Sequence, residues 1–379
     1  MSKTINLAEK YSDKVQERFY QDSLTQSSFS KDLDMEFVGV KTVKVYEAHT
    51  SPLNDYTRSG SNRYGTPQEL ADSIYEFQMK QDKAFTYTID KGNAKEQFNI
   101  KTAATSLKRE MREVVTPFID KYRFKTWATK AGQHVALTAA PTKSTIAGII
   151  MDATCALDDM FVPQNGRTLY IRNDLYKALK LCDEYVKLEG IGTKALVNGV
   201  VGEFDGMPVK KVPKSYFPSD VYFMIVLKDA AISPMKLNDY KIHSDPPGLS
   251  GDLVEGRVMF DAFVKPTRAD GIYVGCSAST VAATPAIVIA TNVATITSDT
   301  TDAVIKYTTD GSDPRFSDTA KTYSASSKPT LATGDTIRAA ATKTGMFKKS
   351  SVPEMRLFSA SKACRRVWVK ASAFSRANA

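Results

Sequence analysis

The sequence offers little with which to do chemistry. Its three histidines, His49, His134 and His243, stand far apart with no HExxH pair. Neither a GxSxG elbow nor a phosphate-cradling glycine loop occurs, so zinc hydrolases, serine hydrolases and nucleotide hydrolases lack their groups here. Four cysteines, Cys155, Cys182, Cys276 and Cys364, are widely spaced with no CxxC pair and no nearby histidine. That argues against a zinc site and predicts free thiols, with Cys155 and Cys182 buried in helices. No apolar run reaches the roughly 18 residues of a membrane span. The polar start MSKTINLAEKYSDK lacks the apolar centre of a secretory signal, so a cytosolic origin without membrane association is expected. The chain is expected not to be an enzyme, with no catalytic, cofactor-binding or metal residues and no cofactor.

Three patterns imitate sites. Gly190, Gly192 and Ala195 fit GxGxxA, but a helical pattern precedes them where a dinucleotide fold needs a strand, so they read as a glycine-rich helix exit. Asp158 and Asp159 read as a solvated helix end. The Asp310 to Asp313 cluster reads as an Asx turn rather than a cation site.

The net charge of +9 is uneven. Residues Ser277 to Ala379 hold 14 Lys and Arg against 7 Asp and Glu, which leaves 37 against 35 before them. After Val352, Arg356, Lys362, Arg365, Arg366, Lys370 and Arg376 face only Glu354. The tail reads first as an edge strand or a disordered basic end; the other reading is that Arg365 and Arg366 beside Trp368 contact phosphate backbones with an aromatic to stack, so an electrostatic partner would engage this tail and not the near-neutral body.

What is present is architecture. Leu107, Met111, Val114, Val115, Phe118, Ile119 and Tyr122 repeat at helical spacing within Asn93 to Lys130, predicting a long helix with one apolar stripe. Lys108, Arg109, Arg112, Glu113, Asp120, Lys121 and Arg123 are assigned to its solvent faces, and Pro117 predicts a kink. Before it, Phe37 to Tyr46 reads as a strand. Tyr75 to Met79 and Phe85 to Ile89 read as a hairpin, although Thr66, Pro67 and Glu69 resemble a helix start. The polar excursion from His49 to Thr66 is long for a self-contained domain, which implies contact with another molecule. After the helix come a short strand at Gln133 to Thr138, a helix at Thr142 to Leu157 and a strand at Thr168 to Ile171. Asn173 then N-caps a helix through Leu175, Leu179, Cys182 and Val186. Asn198 and Gly199 mark a turn, and Met207 to Val212 and Tyr222 to Leu227 are core strands. Gly251 to Val274 adds two more strand candidates. At Ser277 the composition shifts to Thr, Ala, Ser and Asp. Short strands at Ala286 to Ala290, Ala294 to Thr297, Val304 to Thr308 and Thr336 to Ala341 suggest a small β-sandwich of modest stability.

Three strings tie these parts together: VPQNGRTLYI at Val162 to Ile171, LVNGVVGEFDGMPVKKVP at Leu196 to Pro213, and HSDPPGLSGDLVEGRVMFDAFV at His243 to Val264. With the arm, hairpin and long helix, the stretch from Met1 to about Val274 resembles tailed-bacteriophage major capsid proteins of the Hong Kong 97 type. The resemblance implies an α+β capsid fold. Residues 1–36 would be an N-terminal arm, 37–90 an extended loop with flanking strands, and 91–141 the peripheral domain with its spine helix. Residues 142–233 would be the axial domain and 234–276 the return to the peripheral domain. It carries over structural residues only: Gly202, Asp205 and Gly206 before the strand to Val212, and Asp245, Pro246 and Pro247 leading back. IKYTTDGSDPR at Ile305 to Arg315 and DTIRAAATKTG at Asp335 to Gly345 look like the chitobiase or β-hexosaminidase C-terminal type of immunoglobulin-like module, placed at 277–353 ahead of a basic tail at 354–379.

The function implied is a virion shell protein, assembled in the host cytoplasm as hexamers and pentamers around double-stranded DNA, which it touches non-specifically. A separate scaffolding protein and a portal are the expected partners, and the terminal domain would decorate the surface. The alternative is a carbohydrate-binding surface protein acting through that domain.

Overall fold

The computed structural model of the chain describes residues 23–29, 35–38, 41–48, 53–67, 69, 72–92, 103–182, 200–248, 250–315, 317, 319–344, 346 and 354–356. Residues 1–22, read from the sequence as most of an arm, residues 93–102 of the expected long helix, His49, Val186, Gly190, Gly192, Ala195, Asn198, Gly199, Cys364 and residues 357–379 of the expected tail lie outside the described residues. Strands in chain order are β1 (Met35–Val38), β2 (Thr42–Ala48), β3 (Asp72–Gln78), β4 (Gln81–Asp90), β5 (Gln133–Leu137), β6 (Arg167–Arg172), β7 (Val200–Phe204), β8 (Met207–Val212), β9 (Val221–Leu227) and β10 (Ala231–Ile232). They continue as β11 (Met235–Ser244), β12 (Gly251–Phe260), β13 (Phe263–Val264), β14 (Ile272–Ser277), β15 (Ala286–Ala290), β16 (Val293–Thr297), β17 (Val304–Thr308), β18 (Lys321–Thr322), β19 (Thr336–Thr342) and β20 (Glu354–Arg356). Helices are α1 (Ala103–Glu110), α2 (Thr116–Lys130), α3 (Ile146–Asp159) and α4 (Asn173–Lys180). None of the described helices is long and apolar enough to cross a membrane. The described residues within 30–111 and 233–263 form one compact unit, and those within 20–29, 112–232 and 264–379 a second.

In the second unit β9 reads VYFMIVL, an apolar run without alternation, which suits a strand covered on both faces. It lies in a six-stranded mixed sheet of order β5-β14-β9-β6-β8-β7. Period-two alternation then sorts side chains by face. Tyr170, Met224, Val226, Ile272 and Val274 join Phe124 and Trp127 of α2, whereas Leu169, Ile171, Phe223, Ile225 and Tyr273 join Ile146, Ile150 and Leu157 of α3 and Leu175 and Leu179 of α4. Phe124 sits edge-on to Trp127, Tyr170 and Phe217 at ring separations of 5.5, 5.2 and 5.1 Å. Asp205 and Gly206 take positive φ of 51° and 71° between β7 and β8, the conformation a tight primed hairpin turn requires. Asn173 is the first residue of α4, one past the cap position, which Arg172 holds.

The long helix departs from its expected form in two ways. The irregularity precedes Pro117: Met111–Val115 is a π-helical turn between α1 and α2. Proline has no N–H and its ring crowds the carbonyl four residues earlier, so the strain falls on the preceding turn. The buried stripe is also rotated. Ile119, Asp120, Arg123, Phe124, Trp127 and Ala128 are buried, while Val114 and Phe118 are exposed. Asp120 and Arg123, assigned to solvent by their charge, are inside.

In the first unit, the expected single strand at Phe37 to Tyr46 is instead the antiparallel pair β1 and β2, with Val38 opposite Thr42. The expected hairpin is also corrected. β3 pairs with β2, and β4 pairs with β12 in a sheet of order β11-β12-β4, so the two strands are consecutive but unpaired. The link has no glycine or asparagine to reverse the chain. Instead Met79 N donates to Lys41 O at 2.7 Å and Lys80 N to Asp261 Oδ2 at 2.7 Å, which directs the two strands to different sheets.

The terminal segment forms the four expected strands. A two-stranded sheet (β15-β16) and a four-stranded sheet (β18-β17-β19-β20) share one core of Ile287, Ala294, Ile296, Tyr307, Leu331, Ile337 and Ala339.

Candidate functional site

Two places stand out, a buried polar clasp and an exposed loop. The clasp is built where residues 23–29 cross α2. Asp120 accepts from Ser23 Oγ at 2.9 Å, Leu24 N at 2.9 Å and Thr25 Oγ1 at 2.6 Å. Arg123 donates to Thr25 Oγ1 at 2.9 Å, lies 3.5 Å from Asp120 and sits over the Phe29 ring. From the sheet, Lys210 donates to Leu24 O at 2.9 Å and to Ser27 Oγ at 2.5 Å, while the Tyr170 hydroxyl lies 2.5 Å from Ser28 Oγ. Asp120, Arg123, Lys210 and Tyr170 are all buried. Burial lowers the proton affinities of Lys210 and Arg123 from their ordinary values and pushes the Tyr170 phenol up. Each buried charge is met by partners, so the arrangement fastens backbone rather than priming a reaction. Sequence reasoning missed it. The available signal was the i, i+3 spacing of Asp120 and Arg123 on the stripe shared with Phe124 and Trp127, which has no meaning until Leu24 and Thr25 are brought alongside.

The loop, residues 53–67, has neither helix nor strand, and Thr66, Pro67 and Glu69 make no helical turn among the described residues. It closes on itself through Thr57 N to Arg63 O at 3.0 Å, Gly65 N to Asn62 O at 2.9 Å and an edge-to-face pair of Tyr56 and Tyr64 at 5.0 Å. Leu53 is 101% and Tyr64 84% exposed.

The other patterns resolve plainly. Asp310 Oδ1 accepts from Ser312 N at 2.9 Å, an Asx turn, and Oδ2 accepts from Thr319 Oγ1 at 2.7 Å. The Ser312 hydroxyl also donates to Oδ1, and this bond first, then those from Thr319 Oγ1 and Ser312 N, hold the carboxyl at about 2, below the ordinary 3.8. Asp158 is more than a solvated end, since it pairs with the buried Arg167 at 2.6 Å. His134 is buried with Nε2 2.6 Å from Ala128 O, and exposed His243 lies 3.5 Å from Glu255. Cys182 and Cys276 are buried, and burial raises the Cys276 thiol to about 12. Cys155 corrects the expectation: it faces solvent from α3. Among the described residues no three His, Cys, Asp or Glu side chains converge to hold a metal.

No family model matches the sequence, and no curated protein matches it. Solved structures do match. The capsid structure of cyanophage P-SCSP1u aligns with a TM-score of 0.55 at 12% identity, covering 71% of this chain and 92% of that one. The mature capsid of bacteriophage PhiM1 aligns with a TM-score of 0.52 at 9% identity, covering 72% and 92%. At such identities the likeness is one of fold, and the chain shares the fold of phage capsid proteins.

Proposed function

We propose that this chain, having the fold of phage capsid subunits, is itself a major capsid protein whose copies close into an icosahedral-type shell around double-stranded DNA. The observation that carries the proposal is the match over 92% of the length of two capsid chains. The share of this chain left uncovered is comparable in length to Ser277 to Ala379, as expected if an added domain follows the coat fold.

In finer detail we assign a Hong Kong 97 type layout: residues 1–36 the arm, 37–90 the extended loop, 91–141 and 234–276 the peripheral domain and 142–233 the axial domain. Residues 277–353 would be an immunoglobulin-like decoration and 354–379 a basic tail. Loop 53–67, with Leu53 and Tyr64 bare, is suited to lie on a neighbouring copy. Hexamers and pentamers, a separate scaffolding protein, a portal and non-specific contact with packaged DNA belong to the same proposal, as do assembly in the host cytoplasm and the absence of catalysis. The carbohydrate alternative is weaker. Tyr307, which lines the groove beside Asp310, is buried in the core and offers no platform for a sugar ring.

Negative-stain microscopy of the concentrated chain tests the proposal. Shells, capsomers or sheets are expected; a compact monomer under every condition would overturn it.

A further inference from the structure

Arg315 closes the string IKYTTDGSDPR in the terminal β-module, yet it is not spent on the module's own core. Its side chain is 3% exposed. Nε reaches the two Asp313 carboxylate oxygens at 3.0 and 2.9 Å, and Nη2 reaches Asp313 Oδ2 at 2.6 Å. The fork extends outside the module: Nη2 lies 3.5 Å from Asp270 Oδ1, and Nη1 donates to the Gly132 carbonyl.

The receiving notch is built by the body. Gly132 follows the C-terminal end of α2, where unpaired carbonyls and the negative end of the helix dipole favour a cation. Gly132 N donates to Ala269 O at 2.7 Å, and Gln133 Nε2 to Asp270 O at 3.3 Å. A Cβ at position 132 would stand 2.3 Å from Asp270 Oδ1 and 2.4 Å from Asp270 N, so only glycine lets these walls close. A second fixing point lies in the linker, where Val281 packs against the core of the body. Thr280 Oγ1 donates to Ser277 O at 2.7 Å, Ala282 is fully buried, and Ala283 N donates to Thr300 Oγ1 at 2.8 Å. One point of attachment would leave the module free to swivel; two do not.

We infer that Arg315 is a clasp that docks the terminal module on the notch formed by Gly132 and Asp270, so the module is carried in one orientation instead of swinging on a tether. The inference concerns this chain alone and does not depend on the shell proposal. A lysine cannot substitute, because a point charge cannot bridge Asp313, Asp270 and a carbonyl as a planar fork does.

The test uses the full chain and elastase, which cuts after small residues such as those of 278–284, with cut sites read by mass spectrometry and amide exchange followed in β9, β14, β17 and β19. Arg315→Ala and Arg315→Lys are expected to speed linker cleavage about tenfold, equivalent to about 1.4 kcal/mol of docking, with exchange in all four strands unchanged. Asp270→Lys approaches from the body side: its side chain is 45% exposed, so the new lysine has room, and reversing the charge facing the guanidinium should speed cleavage likewise. Wild-type cleavage rates in Arg315→Ala and Asp270→Lys would overturn the clasp. So would faster exchange of β17 and β19 in Arg315→Ala with normal cleavage in Asp270→Lys, since Arg315 would then serve only the module's own fold.

Discussion

Asp120 shows how a single residue's role depends on what lies against it. Its spacing and charge place it on a wet helix face, but the backbone of Leu24 and the hydroxyls of Ser23 and Thr25 convert the position into a buried acceptor. Asp120→Ala removes that acceptor and the carboxylate that balances the buried charge of Arg123. A loss of about 3–5 kcal/mol in urea unfolding is expected, as for other broken buried pairs. Cysteine reactivity is another residue-scale consequence. Exposed Cys155 should label with maleimide at neutral pH in the native chain, whereas Cys276, buried with its thiol raised to about 12, should label only on unfolding. Peptide mapping separates the two. Asp310 sets a pH dependence. Its folded carboxyl is held at about 2 against 3.8, so the hydrogen bonds stabilise the module fully above the higher value and are lost as pH falls through the lower. Melts between pH 5 and 2 should show a destabilisation of the module that Asp310→Asn flattens.

At the scale of elements, partners decide what patterns alone do not. β3 and β4 both alternate correctly, so each was legible as a strand. Their pairing was not, because alternation reports which face is buried and says nothing about the neighbour. The contact of Lys80 N with Asp261, 181 positions away, is what commits β4 to β12. Gly251 marks how close that pairing is, since an added Cβ would stand 2.1 Å from Ile89 O, a backbone atom that cannot swing aside. Gly251→Ala should therefore cost about 1–3 kcal/mol, read as faster amide exchange in β4 and β12 with β9 unaffected.

For the whole molecule, the proposed shell role predicts that folding and assembly separate by mutation. Replacing Leu53 and Tyr64 by serine touches no core, so stability should stay within about 0.5 kcal/mol of wild type. Shells in negative stain should nevertheless be lost or sparse. Normal shells from that variant would remove loop 53–67 from the interface.

What the sequence determined by itself was local. The four module strands, the β8 and β9 core strands, the Asx turn at Asp310 and the scarcity of catalytic groups all follow from periodicity, turn chemistry and composition, which a chain carries wherever it goes. Tertiary structure alone decided which face of α2 is buried, that β3 and β4 part company, that Cys155 faces water, and that Arg315 leaves its own module to meet Gly132 and Asp270. Each of these depends on a group 45 to 183 positions distant, or on the packing of a whole helix face, and at such range the energy of a charge or a strand edge is set by its neighbour and not by its own type.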